Sequence, residues 1–383
     1  MVTAIVTIVM FLVMVSLHEF GHFIVAKLLN FKILEYAIGF GPAIFKKQAG
    51  ETLYALRIVP LGGFCKFEGE EESSDDPRAF SNQAVWKRIL VVLAGGISNV
   101  ILGFLLFLII VPATSPMLTN VIDTVLPHSF IEKAGIEQGD RIIEINGKNV
   151  DFYNDISLYT QDFTKDAQAQ ITVKRGKEKL DFSIMPTEQI IDIKYTEKDI
   201  EYVSTINGFA EVEHIEYSEE NPKDEALIGK QETTTRYLIG FTPKSEDVTV
   251  FNVWGQAWNQ TKFVVKLVYQ SLWELVTGKV GMENMSGPVG IVNEVNTAVN
   301  QGSRSWLYVL NLIALITINL GVFNLLPFPA LDGGRLFFMI VELIRRKPIP
   351  PEKEGMIHAA GMLLLLLLVV FVSYQDIMRI FIK

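Results

Sequence analysis

Residues 16–23 read Ser-Leu-His-Glu-Phe-Gly-His-Phe, and they follow an apolar stretch, residues 4–15, that contains no charged side chain. About twenty such residues cross the hydrocarbon core of a bilayer as one helix, so we predict a membrane span over residues 2–29. The i, i+4 spacing of His18 and His22 places both imidazoles on one helix face, where they can hold one zinc ion. Glu19 is then able to take a proton from a water on that ion. The span is therefore predicted to carry two ligands and a base.

A chance motif packed as ordinary core is the alternative to a metal site. Burying two imidazoles and a carboxylate in hydrocarbon without a task is costly, which favours the metal. Catalytic zinc needs a third protein ligand, and Asp332 is the only acid between Trp306 and Phe338. It also suits the N-cap of the helix that follows it. Irregular backbone at membrane depth is tolerated where it lines a cavity, so we predict a ligand role for Asp332, with which the capping role is compatible.

The composition indicates a membrane protein and argues against a nucleic-acid partner. Of 383 residues, 49% are apolar and 20% are charged, and 43 acidic against 34 basic residues give a net charge of −9. Soluble domains carry about 25% charged residues, and an acidic chain lacks the basic surface that binds phosphates. The single cysteine, Cys65, excludes an intramolecular disulfide.

Three further apolar stretches are long enough to span the membrane: residues 89–111, 306–328 and 356–372. The connections between spans one and two and between spans three and four are rich in Lys and Arg, which places both in the cytoplasm. Both termini and the long segment between spans two and three are then outside. A cleaved signal peptide is rejected because the N-terminus has no basic region before the apolar stretch.

The outside segment is predicted to begin with a small α/β domain over residues 121–186, since strand alternation at 141–145 precedes an Asn-Gly turn. Residues 187–235 lose this pattern and are rich in Glu, so we expect a loose insertion there. Apolar residues at helical spacing and three tryptophans predict an interfacial helix over residues 251–276.

Four motifs resemble those of the site-2 protease family of intramembrane zinc metalloproteases (peptidase M50), in its bacterial regulator-of-sigma protease branch. The motifs are His18–Phe23 with Val25–Lys27, the pair Ile38–Pro42 and Pro60–Gly63, Ser286–Gly290, and Asn324–Gly334. They cover the chain from end to end, and the last is highly specific. The resemblance implies His18, His22 and Asp332 as ligands of one zinc ion and Glu19 as the general base.

The resemblance also implies the fold: a polytopic α-helical membrane protein with four transmembrane helices, a membrane-associated β-hairpin and one extracytoplasmic PDZ-like α/β domain. The predicted order is the first span (1–30), the hairpin with an acidic loop (31–84), the second span (85–112), the PDZ-like domain (113–245) with its insertion (187–235), the interfacial helix and connector (246–304), the third span with a short helix (305–347) and the fourth span (348–383).

This sequence departs from the family pattern in two places. The second span reads Gly95-Gly96-Ile97-Ser98-Asn99 where the family usually has a proline after the first glycine, which weakens the assignment of Asn99 to substrate binding. Many relatives carry two PDZ domains, whereas the motifs here mark one. We expect this domain to act mainly as a size filter for substrates, with binding of chain termini as the secondary alternative.

Several polar residues have competing interpretations. Asn324 and Asn319 are predicted to contact substrate or stabilise an oxyanion, the alternative being hydrogen bonds between helices. His358 is expected at the membrane interface rather than on the metal. Cys65 is expected to be a small apolar filler. The acidic residues 68–76 are most simply a solvated tether.

The sequence therefore predicts a multi-pass endopeptidase of a bacterial plasma membrane, with its active site toward the cytoplasmic side, which cleaves single-span membrane proteins. Anti-sigma factors, a cell-division protein and remnant signal peptides all fit as substrates, and a site-1-type protease would act before it. One rival interpretation is a catalytically silent scaffold that binds chain termini through its PDZ-like domain. This interpretation predicts that a candidate ligand or Glu19 is replaced by another residue type, whereas His18, Glu19, His22 and Asp332 are all present. Another is a zinc transporter, which needs more intramembrane acids or histidines than one cluster.

Overall fold

The computed structural model describes residues 2–70, 74–161, 163–217, 225, 227–281, 286–347 and 349–382. The chain divides into two compact units. The first consists of residues 1–113 and 250–383, and the second of residues 114–249. Each is described by itself below.

The first unit is built on helices. They are α1 (Val2–Leu28), α2 (Val85–Ala113), α5 (Val253–Val276), α6 (Pro288–Val299), α7 (Ser305–Asn324), α8 (Asp332–Arg345) and α9 (Pro351–Ile382). Among the described residues, α1, α2, α7 and most of α9 are long and apolar enough to cross a membrane. This confirms the four predicted spans. The break between α7 and α8 leaves Asp332 at the first position of α8, one residue after the N-cap, which is Leu331 and makes no side-chain capping hydrogen bond. The predicted capping role was therefore wrong by one residue, although a carboxylate in the first turn still faces the positive end of the helix.

Helices α1, α2 and α7 approach one another through glycine. A Cβ atom on Gly21 of α1 would collide with the carbonyl oxygen of Ala94 in α2, and one on Gly96 of α2 would lie 2.8 Å from the Gly321 carbonyl oxygen of α7. Lipid provides no hydrophobic force between helices, so close backbone contact of this kind is a main source of their association. It brings the second half of α1 against the middle of α2.

A long antiparallel hairpin, β1 (Ile33–Ala49) and β2 (Thr52–Phe67), follows α1 and confirms the predicted hairpin. Its base packs into a core with Phe31, Phe80, Val91 and Val92. Residues 40–49 of β1 are exposed, but the turn after them folds back to the base, where Thr52 is fully buried and its hydroxyl donates a hydrogen bond to the Ile33 carbonyl, 2.9 Å away. Residues 35–38 of β1 consequently pair on both sides, with residues 53–56 and with residues 63–66 of β2.

The acidic loop after β2 is more firmly held than a solvated tether. Lys32 forms ion pairs with Glu68 and Asp76, at 3.8 and 3.0 Å, and Glu70 pairs with Arg335 of α8. Residues 71–73 lie outside the described residues. The expectation was wrong for the described part of this loop because the positive partners lie far away in sequence.

Helix α5 was predicted to lie in the membrane interface. Its buried face, Ala257, Thr261, Val264 and Val268, packs against α2 and α7, and Phe104 of α2 contacts the rings of two of its tryptophans. The interfacial location stays a prediction.

The second unit contains two sheets. The first has the order β12-β3-β4-β6-β7, with the two-residue β5 paired to β4. Its strands are β3 (Met117–Val125), β4 (Arg141–Ile145), β5 (Lys148–Asn149), β6 (Ala169–Arg175), β7 (Glu178–Ile184) and β12 (Phe241–Glu246), and its helices are α3 (Phe130–Ala134) and α4 (Tyr153–Thr160). Ile131 of α3 and Ile156 of α4 share the core of this sheet with Ile142, Ile171 and Val173. The α/β character is as expected, and the PDZ-like identity stays a prediction.

The stretch expected to be a loose insertion instead forms the second sheet, apart from residues 218–224 and 226, which lie outside the described residues. The antiparallel order is β10-β9-β8-β11, with β8 (Thr187–Tyr195), β9 (Asp199–Ile206), β10 (Phe209–Glu216) and β11 (Gln231–Leu238). Every residue of β10 is exposed. A strand without a buried face needs no apolar alternation, which is why the sequence pattern missed β10. Strand β8 does alternate, but two of its three buried residues, Thr187 and Gln189, are polar, so its buried face carries no apolar pattern.

In the second unit, an ion pair joins Asp140, the residue before β4, to Arg175 at the end of β6. Asp140, whose side chain is only 1% exposed, accepts hydrogen bonds from Nε and Nη2 of Arg175 and from the Glu137 backbone N–H. Burial alone would raise the pKa of Asp140, but these hydrogen bonds outweigh it and hold the pKa below its usual range. The charged form is thus the one that stabilises the fold.

We expect Asp140→Asn to destabilise the second unit by about 2 kcal/mol at pH 7, because charge-assisted hydrogen bonds of this kind contribute about 1.5–3 kcal/mol. A carboxyl with a depressed folded pKa contributes stability above its unfolded pKa of about 3.9, and this is lost as pH falls through the folded value. Hydrogen exchange of residues 117–145 in the full-length protein, at pH 7 and at pH 3, measures the effect.

The matched control is Glu137→Gln, since Glu137 also contacts Arg175, at 3.1 Å, but is 66% exposed. Its effect should be below about 0.5 kcal/mol. Equal exchange in Asp140→Asn and wild type at pH 7 would show that the buried pair contributes no net stability.

Candidate metal centre

The two histidines of α1 face the same side of the helix and are both buried. Their Nε2 atoms lie 3.2 Å apart, and their rings meet edge to face. This is the arrangement that the i, i+4 spacing predicts. Two ring nitrogens thus lie side by side at one point of the helix face.

Asp332, at the start of α8, completes a group of three. Its Oδ2 lies 3.0 Å from Nε2 of His18 and 3.2 Å from Nε2 of His22. The three residues form a group that could hold a metal ion. Donors at about 2.0–2.1 Å from a tetrahedral zinc are about 3.3 Å from one another, close to the separations here. Two nitrogens and one oxygen are also the ligand types that catalytic zinc uses, so the residues fit the ion.

Glu19 stands beside this group on the wall of a cavity of about 630 Å³. Gly63 of β2 lies directly beside it, since a Cβ atom there would be 3.5 Å from Cγ of Glu19, so the hairpin forms one side of the space around this carboxylate. The lining comes from α1, the hairpin and its loop, α2, α8 and α9: Glu19, His22, Phe40, Gly63, Phe64, Cys65, Phe67, Glu70, Phe80, Val91, Val92, Ala330, Leu331, Asp332, Arg335, His358, Ala359 and Met362.

The three asparagines predicted to bind substrate lie elsewhere. Asn324 is the half-buried last residue of α7, Asn319 is exposed one turn earlier, and Asn99 is fully buried in α2 behind His18. None of them lines the described cavity. The structure therefore brings together His18, Glu19, His22 and Asp332, while the asparagine roles stay predictions.

Two contacts near the metal site were missed from the sequence. His358, expected at the interface, directs Nδ1 at the backbone N–H of Ala330, at 2.9 Å. Ala330 has a φ of 77°, in the left-handed region, two residues before Asp332. The second contact is the Arg335–Glu70 ion pair, one turn after Asp332. Only the charge of Arg335 inside an apolar segment signalled that it needed a partner.

Cys65 fits its predicted role as a filler. Burial, together with the nearby Glu19 carboxylate, raises the pKa of its thiol. A thiol held in the protonated form is a poor nucleophile.

Comparisons with known proteins cover nearly the whole chain. The sequence profile of peptidase family M50 matches residues 6–368, which include all three candidate ligands and Glu19. A protein of Clostridium acetobutylicum described as a candidate zinc metalloprotease is 32% identical over 374 residues, covering 97% of this chain and 96% of the relative. Zinc metalloprotease RasP of Oceanobacillus iheyensis is 28% identical over 463 residues, with all of both chains covered. Regulator of sigma-W protease RasP of Bacillus subtilis is 27% identical over 468 residues, covering 99% of each.

Gly95 of α2 leaves the room that the two imidazoles occupy. A Cβ atom there would lie 2.9 Å from Cε1 of His18 and closer still to Nε2 of His22. We therefore expect Gly95→Ala to displace both rings, to lower zinc content after purification, and to reduce peptide cleavage on the order of 100-fold, as small misplacements do.

The control is Gly255→Ala in α5, where a Cβ atom would meet nothing within 4 Å. Both changes raise helix propensity by about 1 kcal/mol, so only the steric effect differs. Zinc content measured by atomic absorption should be unchanged in the control. If Gly95→Ala also binds zinc fully, the ring positions are more adaptable than the structure indicates.

Proposed function

The chain belongs to peptidase family M50 and is a zinc metalloprotease, and from this premise we propose that it hydrolyses peptide bonds in or near the transmembrane segment of single-span membrane proteins. The observation that carries the proposal is the position of the cluster. His18, His22 and Asp332 meet among helices that are long and apolar enough to cross a membrane.

We propose that His18, His22 and Asp332 hold one zinc ion, leaving the fourth position for water or substrate. The ion supplies Lewis acidity, which polarises a peptide carbonyl and acidifies a water molecule. The negative charge of the Asp332 carboxylate would neutralise part of the zinc ion's charge among apolar helices, where few water molecules are present to do so. The donor separations of 3.0–3.2 Å support this assignment.

Glu19 is the proposed general base. It takes a proton from the attacking water and passes it to the leaving amine, which is the work of a carboxylate beside a metal in this class of reaction. Glu19 and Gly63 of β2 both line the cavity, which supports this role for the carboxylate. Asn324, and with less support Asn319, are proposed to hold the substrate backbone as it unwinds.

A helical substrate hides its amides in i to i−4 hydrogen bonds, so a segment must become extended before water can reach it. We propose that the hairpin receives this segment by strand addition. Gly63, Phe64 and Cys65 of β2 line the cavity, and β1 and β2 pair only with each other among the described strands. Residues 35–38 of β1 already pair on both sides, whereas, among the described strand pairings, residues 63–67 of β2 pair on one side only. The proposed pairing edge for an extended segment is therefore the outer edge of residues 63–67, beside Glu19.

The biological setting follows from the class of substrate. The protein is a multi-pass membrane protein with bacterial relatives. One relative is called a regulator of sigma-W protease, and we propose anti-sigma factors as one fitting substrate class here, together with remnant signal peptides. A bulky ectodomain would first be removed by another protease.

Measurements of zinc content and of cleavage should distinguish the metal ligands from the general base. In detergent, wild type should contain one zinc ion, and His22→Ala and Asp332→Ala should contain much less. Glu19→Gln should keep the metal but lose cleavage by about 10²–10⁴-fold, since it removes a base and no ligand. Zinc is measured by mass spectrometry, and cleavage is measured on a purified single-span reporter.

The reporter also tests the substrate class. A soluble peptide with the same cleavage sequence, cut as fast as the membrane-inserted form, would argue for a general endopeptidase. Activity of Glu19→Gln at the wild-type level would refute its role as base.

The proposed orientation places the second unit outside the cell and the acidic loop inside. A cysteine at Lys177 should react with an impermeant maleimide in intact cells, whereas one at Ser81 should react only after lysis. Cys65, the single native cysteine, is buried. The opposite labelling pattern would invert the topology and move the active site to the outer leaflet.

A further inference from the structure

The outer contacts of the two histidines come from the same helix. A histidine that binds metal through Nε2 is neutral and carries its remaining proton on Nδ1, and this N–H needs an acceptor that fixes the ring. For His22 the acceptor is the Val91 carbonyl of α2, at 2.8 Å from Nδ1. One of the two rings is thus oriented for a metal by backbone alone.

The corresponding neighbour of His18 is a side chain. Nδ2 of Asn99 lies 3.3 Å from Nδ1 of His18. Asn99 follows Val91 by eight residues, a spacing that keeps both on one side of a helix. It is 0% exposed, and within the described part of the chain its Oδ1 is a buried acceptor without a hydrogen-bond partner.

These contacts have a chemical consequence. An amide N–H₂ can only donate, so it suits an unprotonated Nδ1, which is the tautomer that leaves the proton on Nε2 and cannot bind metal there. Turning the amide by about 180° about its last bond places the free Oδ1 against Nδ1 and gives the metal-binding tautomer its acceptor. The backbone need not move, because the two ends of the amide have nearly the same size.

We propose that Asn99 is a positioning residue for His18, whose Oδ1 accepts the Nδ1–H in the zinc-bound enzyme, rather than a contact for substrate. The inference rests on the proposed zinc site and deepens it. The Asn99 backbone carbonyl also accepts a hydrogen bond from the Thr317 hydroxyl of α7, at 3.4 Å. The backbone of α2 at Asn99 is therefore tied to α7, while the Asn99 side chain orients the His18 ring.

Two substitutions separate the acceptor from the bulk of the side chain. Asn99→Asp keeps an oxygen that accepts the Nδ1–H, whereas Asn99→Leu keeps the volume and removes the acceptor. We expect Asn99→Leu to lower zinc affinity roughly 10- to 100-fold, the usual effect of losing an outer-shell partner, and Asn99→Asp to restore it to within a few-fold of wild type. Affinity is measured by competition with a chelator in detergent, with no substrate present.

The control is Ser98→Ala. Its hydroxyl donates to the carbonyls of Leu17 and Gly95, so this variant removes a link between α1 and α2 at the same level without touching an imidazole. Zinc affinity should stay at the wild-type value. The absorption spectrum of the cobalt-substituted protein gives a second readout, since a tilted His18 changes the ligand field in Asn99→Leu but not in Ser98→Ala.

Three outcomes would overturn the inference. Asn99→Leu with wild-type zinc affinity and a raised KM would assign Asn99 to substrate. Equal losses in Asn99→Leu and Asn99→Asp would assign it to packing. A loss in Ser98→Ala as large as in Asn99→Leu would assign it to helix association. Failure of the zinc site itself would show differently, as undiminished zinc affinity in His18→Ala.

Discussion

The placement of two imidazoles and a carboxylate inside a bundle of apolar helices is the constraint on which the rest of this structure depends. Each group alone would be costly in hydrocarbon, and together they leave two nitrogens and an oxygen within 3.2 Å of one another, an arrangement that a cation stabilises. The candidate ligands come from α1 and α8, more than three hundred residues apart. Since lipid does not drive helices together, other contacts hold this geometry: the close backbone approaches at Gly21 and Gly96 join α1, α2 and α7, and the Arg88–Glu342 ion pair, at 2.7 Å, joins α8 to α2.

The parts of the site that could be predicted are those in which residue type and local spacing carry the chemistry. The spacing of His18 and His22 determines a shared helix face in any helix, and an acid as isolated as Asp332 needs a task inside an apolar segment. The contacts that were missed are between distant segments. Nothing near His358 in sequence indicates Ala330, and Glu70 belongs to an acidic loop whose composition suggested solvent. The second sheet was missed for a different reason, because strands such as β10 have no buried face.

The asparagines show where sequence reasoning stops. An Asn inside a span indicates a polar partner, but the partner depends on how the helix is rotated, and each residue turns the direction by about 100°. From the sequence, Asn99 could therefore face either a substrate path or a neighbouring helix, because both offer hydrogen-bond partners for its amide. The structure turns it toward His18, whereas Asn324 ends α7 away from the described cavity wall. A rotation of α2 by one residue would turn both Val91 and Asn99 away from the histidines that they contact.

The last helix shows the same physics at work away from the metal. Most of α9 in its apolar window is exposed, so packing alone cannot determine its position. Polar contacts hold it near both ends. His358 contacts the Ala330 N–H, and Asp376 accepts hydrogen bonds from the backbone N–H groups of Gly287 and Gly290, at 2.9 and 2.8 Å. The Asp376 contact places a carboxylate at the positive end of α6. The Ser286–Gly290 motif therefore has a structural role in binding α9, which is separate from catalysis. The first contact joins the loop before Asp332 to a helix that contributes no ligand. Some motifs of this chain therefore carry the chemistry of the site. Others supply polar contacts that position helices in lipid, where the hydrophobic effect does not hold helices together.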